Sequence, residues 1–115
     1  MKQLITTDER TRLLVNGQAR AGGHDTDPLP VVRLFTPDAH ATWLLVSLDP
    51  ADGDTCYGLI DLGIGMPALG TIKLSDLASI VGPRKQPVIR DRYFQPTRRL
   101  SEYVRLAEED GSIPD

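Results

Sequence analysis

The 115-residue sequence has few of the residues on which many catalytic and metal sites depend: one cysteine, two histidines and one tryptophan. A single cysteine excludes an internal disulfide, and together with two distant histidines it cannot supply a structural zinc set. No apolar run approaches the ~20 residues of a membrane span, and residues 1–10 lack the apolar segment of a secretory signal. These absences predict a cytoplasmic protein that does not enter a membrane and that binds no metal or cofactor.

The composition is that of an ordinary globular domain, with 40% hydrophobic and 25% charged residues. A chain of this length fits one compact domain, so we expect residues 1–115 to fold as a single unit. The order of its segments predicts an α+β fold, in which an antiparallel meander sheet of four to five strands lies between an N-terminal and a C-terminal helix.

The two terminal helices have sequence signals at their ends, and a third, short helix is expected to begin at Ser75 or Asp76 and to end at Ile80. Thr6 and Glu9 match a capping box, which predicts a helix over 7–16 with Gly17 as its C′ residue. A second helix is expected over 101–110, where apolar residues recur with a period of 3.6.

Four segments rich in β-branched, leucine and aromatic residues predict strands: 31–36, 42–48, 55–62 and 71–74. The connections between the first three are too short for crossover helices, so these strands should pair antiparallel. Residues 87–94 are expected to add a fifth strand at an edge of the sheet.

Alternation along the strands divides the predicted sheet into two apolar faces. One face is expected to form the main core, from Leu44, Val46, Leu48, Ile60, Leu62, Ile72 and Leu74. The opposite face carries Trp43, Leu45, Tyr57 and Leu59, with Phe35. A terminal helix is expected to cover this second face, and the alternative is an exposed apolar patch that serves a partner.

Cys56 and Asp61 are the two residues that invite an enzymatic interpretation. A hairpin would place Cys56 near Ser47 and roughly 20 Å from His40, which is too far for a thiolate–histidine pair. We therefore expect Cys56 to be a buried small hydrophobe. His24, in the loop 22–30, is left open as a partner of Cys56. Asp61 could act as an acid in an apolar pocket, although a bond to the backbone of the following glycine loop is the more usual role.

Two loop motifs resemble ligand sites but fit simpler explanations. Asp49, Asp52 and Asp54 surround Gly53, yet the chain lacks the glutamate that an EF-hand has at its twelfth position, and a hairpin turn explains these residues equally well. Residues 63–68 match G-x-G-x-x-A, but a strand pattern follows them where a dinucleotide site needs a helix.

Charge is distributed in blocks along the chain. No lysine or arginine lies between Arg33 and Lys73, whereas residues 84–105 hold seven basic residues against two acidic ones. Such a block favours electrostatic recognition of a partner, and the alternative is that its arginines pair with the chain's own aspartates. The predicted partner-binding residues are Arg90, Arg92, Tyr93, Phe94, Arg98 and Arg99, with Trp43 on the sheet.

Six segments carry a family resemblance: 4–7 (LITT), 30–37 (PVVRLFTP), 41–45 (ATWLL), 57–63 (YGLIDLG), 67–70 (PALG) and 90–94 (RDRYF). Through them the sequence resembles a bacterial domain-of-unknown-function family, number twenty-nine fifty-eight. The resemblance covers nearly the whole chain. It implies an accessory role in plasmids, integrative elements and phages, and it brings no catalytic residues to carry over.

Together these observations predict a non-enzymatic binding module of a mobile element or phage, whose partner is a protein or a protein–nucleic-acid complex. A specific version is counter-defence, in which the protein blocks a host nuclease, restriction or CRISPR-type complex. Two alternatives stay open: a small enzyme that uses Asp61 and arginines of 84–105 on an anionic substrate, and a homo-oligomeric interaction protein that uses the Trp43 face. Weak direct contact with nucleic acid is also left open, and the number of subunits is not predicted.

Overall fold

A computed structural model describes residues 4–24, 27–37, 39–80, 84 and 86–113. Within these ranges lie three helices and five strands, in the order α1 (Thr7–Ala21), β1 (Val32–Phe35), β2 (Thr42–Leu48), β3 (Thr55–Asp61), β4 (Ala68–Lys73), α2 (Leu74–Ser79), β5 (Ile89–Arg90) and α3 (Leu100–Asp110). The strands form one antiparallel sheet in the order β4-β3-β2-β1-β5. The predicted α+β fold, with a helix at each end, is confirmed.

Helix α1 begins at the predicted capping box. The Thr6 hydroxyl accepts a hydrogen bond from the Glu9 N–H at 3.1 Å, and the Glu9 carboxylate accepts one from the Thr6 N–H at 2.8 Å. These bonds satisfy two of the donors that a helix N-terminus leaves without a partner. The capping box of Thr6 and Glu9 therefore determines where α1 begins.

The end of α1 differs from the prediction, because the helix continues past Gly17 to Ala21. Gly17 is buried against β2, where an added Cβ would lie 1.8 Å from the backbone oxygen of Leu48. Beside it, the Asn16 side chain donates to the Val46 carbonyl at 2.8 Å. Gly17 thus permits a close approach of helix and strand, and the prediction that it ends the helix was wrong.

Strand β2 contains a bulge that reverses the face of the sheet toward which the following side chains point. Leu45 is opposite Gly58 while Ser47 is opposite Tyr57, so Val46 is an extra residue in β2. A Cβ on Gly58 would lie 1.9 Å from the Leu44 backbone oxygen, so the partner strand needs a glycine there. After the bulge, side chains point to the face opposite to the one that simple alternation predicts.

Two hydrophobic clusters lie on the two faces of the sheet. On one side, Trp43, Leu45 and Leu48 pack with Leu13 of α1 and Leu77 of α2. The other cluster contains Leu44, Val46, Leu59, Leu100, Tyr103, Ala107 and Ile113. A terminal helix covers the Trp43 face, as expected, and that helix is α1.

The predicted grouping of the core residues was wrong in part. Leu48, Ile60, Ile72 and Leu74 belong to the cluster of Trp43 and not to that of Leu44 and Val46. Leu59 and Tyr57, which were predicted on the Trp43 face, belong instead to the cluster of Leu44 and Val46, and Leu62 is 57% exposed. The bulge explains the position of Leu48, because one extra residue inverts the alternation beyond it.

Helices α2 and α3 are each capped by an aspartate from a distant loop. Asp54 accepts hydrogen bonds from the N–H and the hydroxyl of Ser75, at 3.0 and 2.6 Å. Asp27 accepts from the N–H of Ser101 at 2.9 Å and from its hydroxyl. Helix α3 begins at Leu100, one residue before the predicted start at Ser101. It ends as predicted at Gly111, which has a left-handed backbone conformation with a φ of 74°.

Strands β4 and β5 differ most from their predicted ranges, whereas β1 and β3 are shorter than predicted by only one or two residues. Strand β4 begins at Ala68, three residues before the predicted start, and pairs along its length with β3. Strand β5 contains only Ile89–Arg90, because Asp91 begins a turn in which its carboxylate accepts from the Tyr93 N–H at 2.9 Å. The chain therefore leaves the edge of the sheet after Arg90 and connects β5 to α3.

In the part of the chain that the structure describes, no helix combines the length and the apolar character that crossing a membrane requires.

Candidate partner-binding surface

Cys56 lies in the core and is not placed for nucleophilic chemistry. It is fully buried opposite Leu48, at the hairpin end of the β2–β3 pair, whereas His40 precedes the other end of β2. Burial raises the pKa of the thiol to about 12, so the reactive thiolate is scarce at neutral pH. The prediction of a buried, structural cysteine is confirmed.

Asp61 uses both carboxylate oxygens to hold the backbone in place. One oxygen accepts from the Gly63 N–H at 2.8 Å, as the interpretation of a bond to the glycine loop predicts. The other accepts from the Ile113 N–H at 3.0 Å, which ties the segment after α3 to β3. Since both oxygens have structural partners, this geometry does not favour the enzyme alternative.

The acidic hairpin between β2 and β3 is organised by hydrogen bonds within the chain. Asp52 accepts from the N–H groups of Asp54 and Thr55 and from the Thr55 hydroxyl, and these bonds lower its pKa to about 2. The bonds from Ser75 lower the pKa of Asp54 as well. Among the described residues there is no cluster of three or more side chains of the types that bind metals.

Part of the predicted basic block is paired inside the protein. The Arg90 guanidinium lies 3.4 Å from the carboxylate of Glu9 at the start of α1. Arg33, in β1, forms an ion pair with Asp91 at 3.2 Å. For Arg90 the alternative of internal pairing therefore describes the structure better than a free surface does.

Arg98 and Arg99 lie at the start of α3 and are exposed. Arg98 is 3.8 Å from the Glu102 carboxylate, a solvent-exposed pair of the kind that contributes little to stability. Arg99 donates to the backbone oxygen of Asp27 at 3.4 Å. Both arginines border an open hollow of about 510 Å³ between the segment 27–29 and the first turn of α3.

Arg92 and Tyr93 are both exposed, in the turn that follows β5. Tyr93 is 86% exposed, and the exposed Arg92 makes no hydrogen bond or ion pair with any residue that the structure describes. Arg92 also borders a second open hollow, of about 500 Å³, whose walls include Leu4, Val88 and Arg90. These two side chains project from the turn that follows β5.

The remaining predicted residues are covered. Phe94 is half-buried against the cluster that contains α3. Trp43 is 2% exposed beneath α1, so its location does not support a contact with a partner or a second copy. Lys85, part of the basic block, lies outside the described residues. The candidate surface therefore narrows to Arg92 and Tyr93 in the turn after β5, which we name the arginine-loop surface, while the exposed Arg98 and Arg99 border a different hollow.

One cationic residue outside the basic block was not identified from the sequence. The guanidinium carbon of Arg20 lies 3.5 Å from the centroid of the Tyr57 ring. The two residues are distant in the chain and meet because α1 continues past Gly17 to Ala21. Since the sequence predicted a helix that ends at Asn16, it gave no signal for this contact.

The sequence was compared with models of known protein families, and one family model matches it. The model described as protein of unknown function (DUF2958) matches residues 4–114. The chain belongs to this family. No curated protein and no solved structure matched it. The DUF2958 match spans every element from α1 to α3 and confirms the predicted resemblance.

Proposed function

We propose that the protein is a cytoplasmic, non-enzymatic binding module of a mobile element or phage. Its arginine-loop surface contacts an anionic region of a protein–nucleic-acid complex. In the specific version, this contact blocks a host nuclease, restriction or CRISPR-type complex. The observation that carries the proposal is the turn after β5, which presents an 86%-exposed tyrosine beside an exposed arginine that has no ion pair among the described residues.

The chemistry of these two side chains suits an anionic partner. A guanidinium presents several N–H donors in a fixed fork, which matches the oxygens of a phosphate or a carboxylate. An anionic partner that binds Arg92 would displace only water, because Arg92 forms no ion pair with a described residue that would first have to break. Tyr93 adds a rigid aromatic ring that can pack against a base or an apolar side chain.

The turn that carries the surface is held in place before any partner binds. The Asp91 carboxylate accepts from the Tyr93 N–H through one oxygen and contacts the Arg33 guanidinium at 3.2 Å through the other. The Asp91 N–H in turn donates to the Arg33 carbonyl at 2.9 Å. A turn fixed in this way loses less conformational entropy on binding, which favours affinity.

The test is an affinity capture from host extract with the Arg92→Ala/Tyr93→Ala double variant. We expect the variant to lose capture while its melting temperature stays within about 4 °C of the wild type, because both side chains are exposed. Arg12→Ala is the matched control: it removes an exposed arginine of α1 that forms an ion pair with Asp8, and it should leave capture unchanged.

Nuclease treatment of the extract identifies the partner. Capture that survives nuclease indicates a protein surface, whereas capture that is lost indicates nucleic acid. For duplex DNA, each lost phosphate contact should also reduce the slope of log affinity against log salt by about one. Unchanged capture by the double variant would exclude the arginine-loop surface as the site of contact.

A further inference from the structure

A small hollow lies beside the C-terminal half of α1, on the sheet surface that carries Tyr57 of β3. It has a volume of about 220 Å³, and its walls include Arg20, Ser47, Asp49, Thr55, Tyr57 and Thr71. A narrower hollow shares Arg20, Ser47 and Tyr57 and extends toward His24. Neither hollow includes a residue of the arginine-loop surface, so the two regions are independent.

Arg20 is held over this hollow without using its hydrogen-bond donors. Its guanidinium carbon lies 3.5 Å from the centroid of the Tyr57 ring, which is the geometry of a cation–π contact. The side chain makes no hydrogen bond or ion pair with the residues that the structure describes. Stacking on Tyr57 therefore orients the guanidinium while its N–H groups remain available to a ligand.

Ser47 supplies a second unused polar group in the same walls. It is only 4% exposed, yet its hydroxyl forms no hydrogen bond with a residue in the described ranges. A hydroxyl that has no protein partner and borders a hollow can form its hydrogen bond with a ligand or with water. The bulge in β2 places Ser47 directly opposite Tyr57, and therefore beside the ring on which Arg20 stacks.

We propose that Arg20 and Ser47 form a binding site for a small oxyanion, that is, for a phosphate or carboxylate group. The guanidinium contributes the charge and a fork of donors, and the hydroxyl contributes one more donor from the wall. Asp49 also borders the hollow, with one oxygen accepting from the Ala51 N–H at 2.9 Å. Since this carboxylate repels an anion, the proposed oxyanion lies nearer to Arg20 and Ser47 than to Asp49.

The test is a calorimetric titration of the full chain with three probes: inorganic phosphate, AMP and succinate. We expect saturable binding of at least one probe. Arg20→Gln should weaken this binding about tenfold or more, and Ser47→Ala should weaken it about threefold to tenfold, as expected for a charged and a neutral donor. Arg12→Gln removes an exposed arginine from the same helix and should leave the affinity unchanged.

The choice of probe identifies the source of the oxyanion. Tighter binding of AMP than of phosphate indicates a phosphate monoester, whereas a preference for succinate indicates a carboxylate, and either result supports the site. The Arg92→Ala/Tyr93→Ala variant should bind the probe normally, which separates this inference from the proposed function. Absence of saturable binding for all three probes, or binding that Arg20→Gln does not change, would overturn it. Arg20→Lys, which keeps the charge but loses the fork, should give an intermediate affinity if the variants fold equally well.

Discussion

Replacing Gly17 with alanine tests how closely α1 approaches the sheet. In a helix interior this change normally stabilises a protein by about 0.5–1 kcal/mol, because alanine is the better helix former. Here the new Cβ would lie 1.8 Å from the Leu48 backbone oxygen, whereas real Cβ atoms essentially never come closer than 3.0 Å. The helix and the strand must then separate by more than about 1 Å, which opens the core between them.

We expect Gly17→Ala to destabilise the protein by about 3 kcal/mol, the upper end of the usual cost of overpacking. The assay is urea unfolding followed by the fluorescence of Trp43, the only tryptophan of the chain and 2% exposed. With a slope of about 1–3 kcal/mol per molar urea, the midpoint should fall by about 1–3 M.

Gly22→Ala is the matched control for this prediction. Gly22 follows α1 with a φ of −83°, and an added Cβ would meet no atom closer than 3.5 Å. Alanine fits there, so the control should be neutral or stabilising by up to about 1 kcal/mol, through the lower entropy of the unfolded chain. If Gly17→Ala were as well tolerated as Gly22→Ala, the close contact of α1 with β2 would be refuted.

Three further predictions concern single polar side chains. Burial raises the pKa of the Cys56 thiol to about 12, so at pH 8 this thiol should react with a thiol reagent only as fast as the protein unfolds. Labelling of the folded protein as rapid as labelling in urea would contradict the burial of Cys56. The pKa of Asp52 is lowered from 3.8 to about 2 in the folded protein, so its contribution to stability is present above pH 3.8 and is lost as the pH falls toward 2. Asp52→Asn should therefore flatten the acid-unfolding curve in that range, and an unchanged curve would show that the carboxylate contributes nothing. Asp61→Asn weakens the acceptor for the N–H groups of Gly63 and Ile113, and we expect urea unfolding to show a loss of about 1–3 kcal/mol; an unaltered midpoint would mean that these two bonds do not stabilise the fold.

The interior of the sheet was only partly predictable, because side-chain alternation holds only while the pairing is regular. The range 42–48 was predicted as a strand, and the structure gives β2 the same bounds. The assignment of Leu48 to a face failed, since the bulge at Val46 depends on the pairing of β2 with β3 and on the close approach at Gly58. A single extra residue therefore placed Leu48 on the face opposite to the predicted one.

The candidate site was also only partly predictable, because its composition is visible in the sequence but its long-range contacts are not. The sequence identified the basic block, and the structure places Arg92 and Tyr93 of that block at an exposed turn. It could not show that Arg90 pairs with Glu9, because these residues are 81 positions apart. Nor could it show the stacking of Arg20 on Tyr57, which requires the last turn of α1 to lie beside β3.

By itself the sequence determined the features that depend on neighbours within a few positions. These are the capping box of Thr6 and Glu9, the left-handed stop at Gly111 and the antiparallel order of β1 to β4. Their interactions form between residues close in the chain, so the pattern is visible without the fold. Only the tertiary structure decided the length of α1, the faces of the core and the arginines that remain exposed. Those outcomes depend on which distant backbone and charged groups meet, and a close contact such as Gly17 against Leu48 exists only once α1 and β2 are packed together.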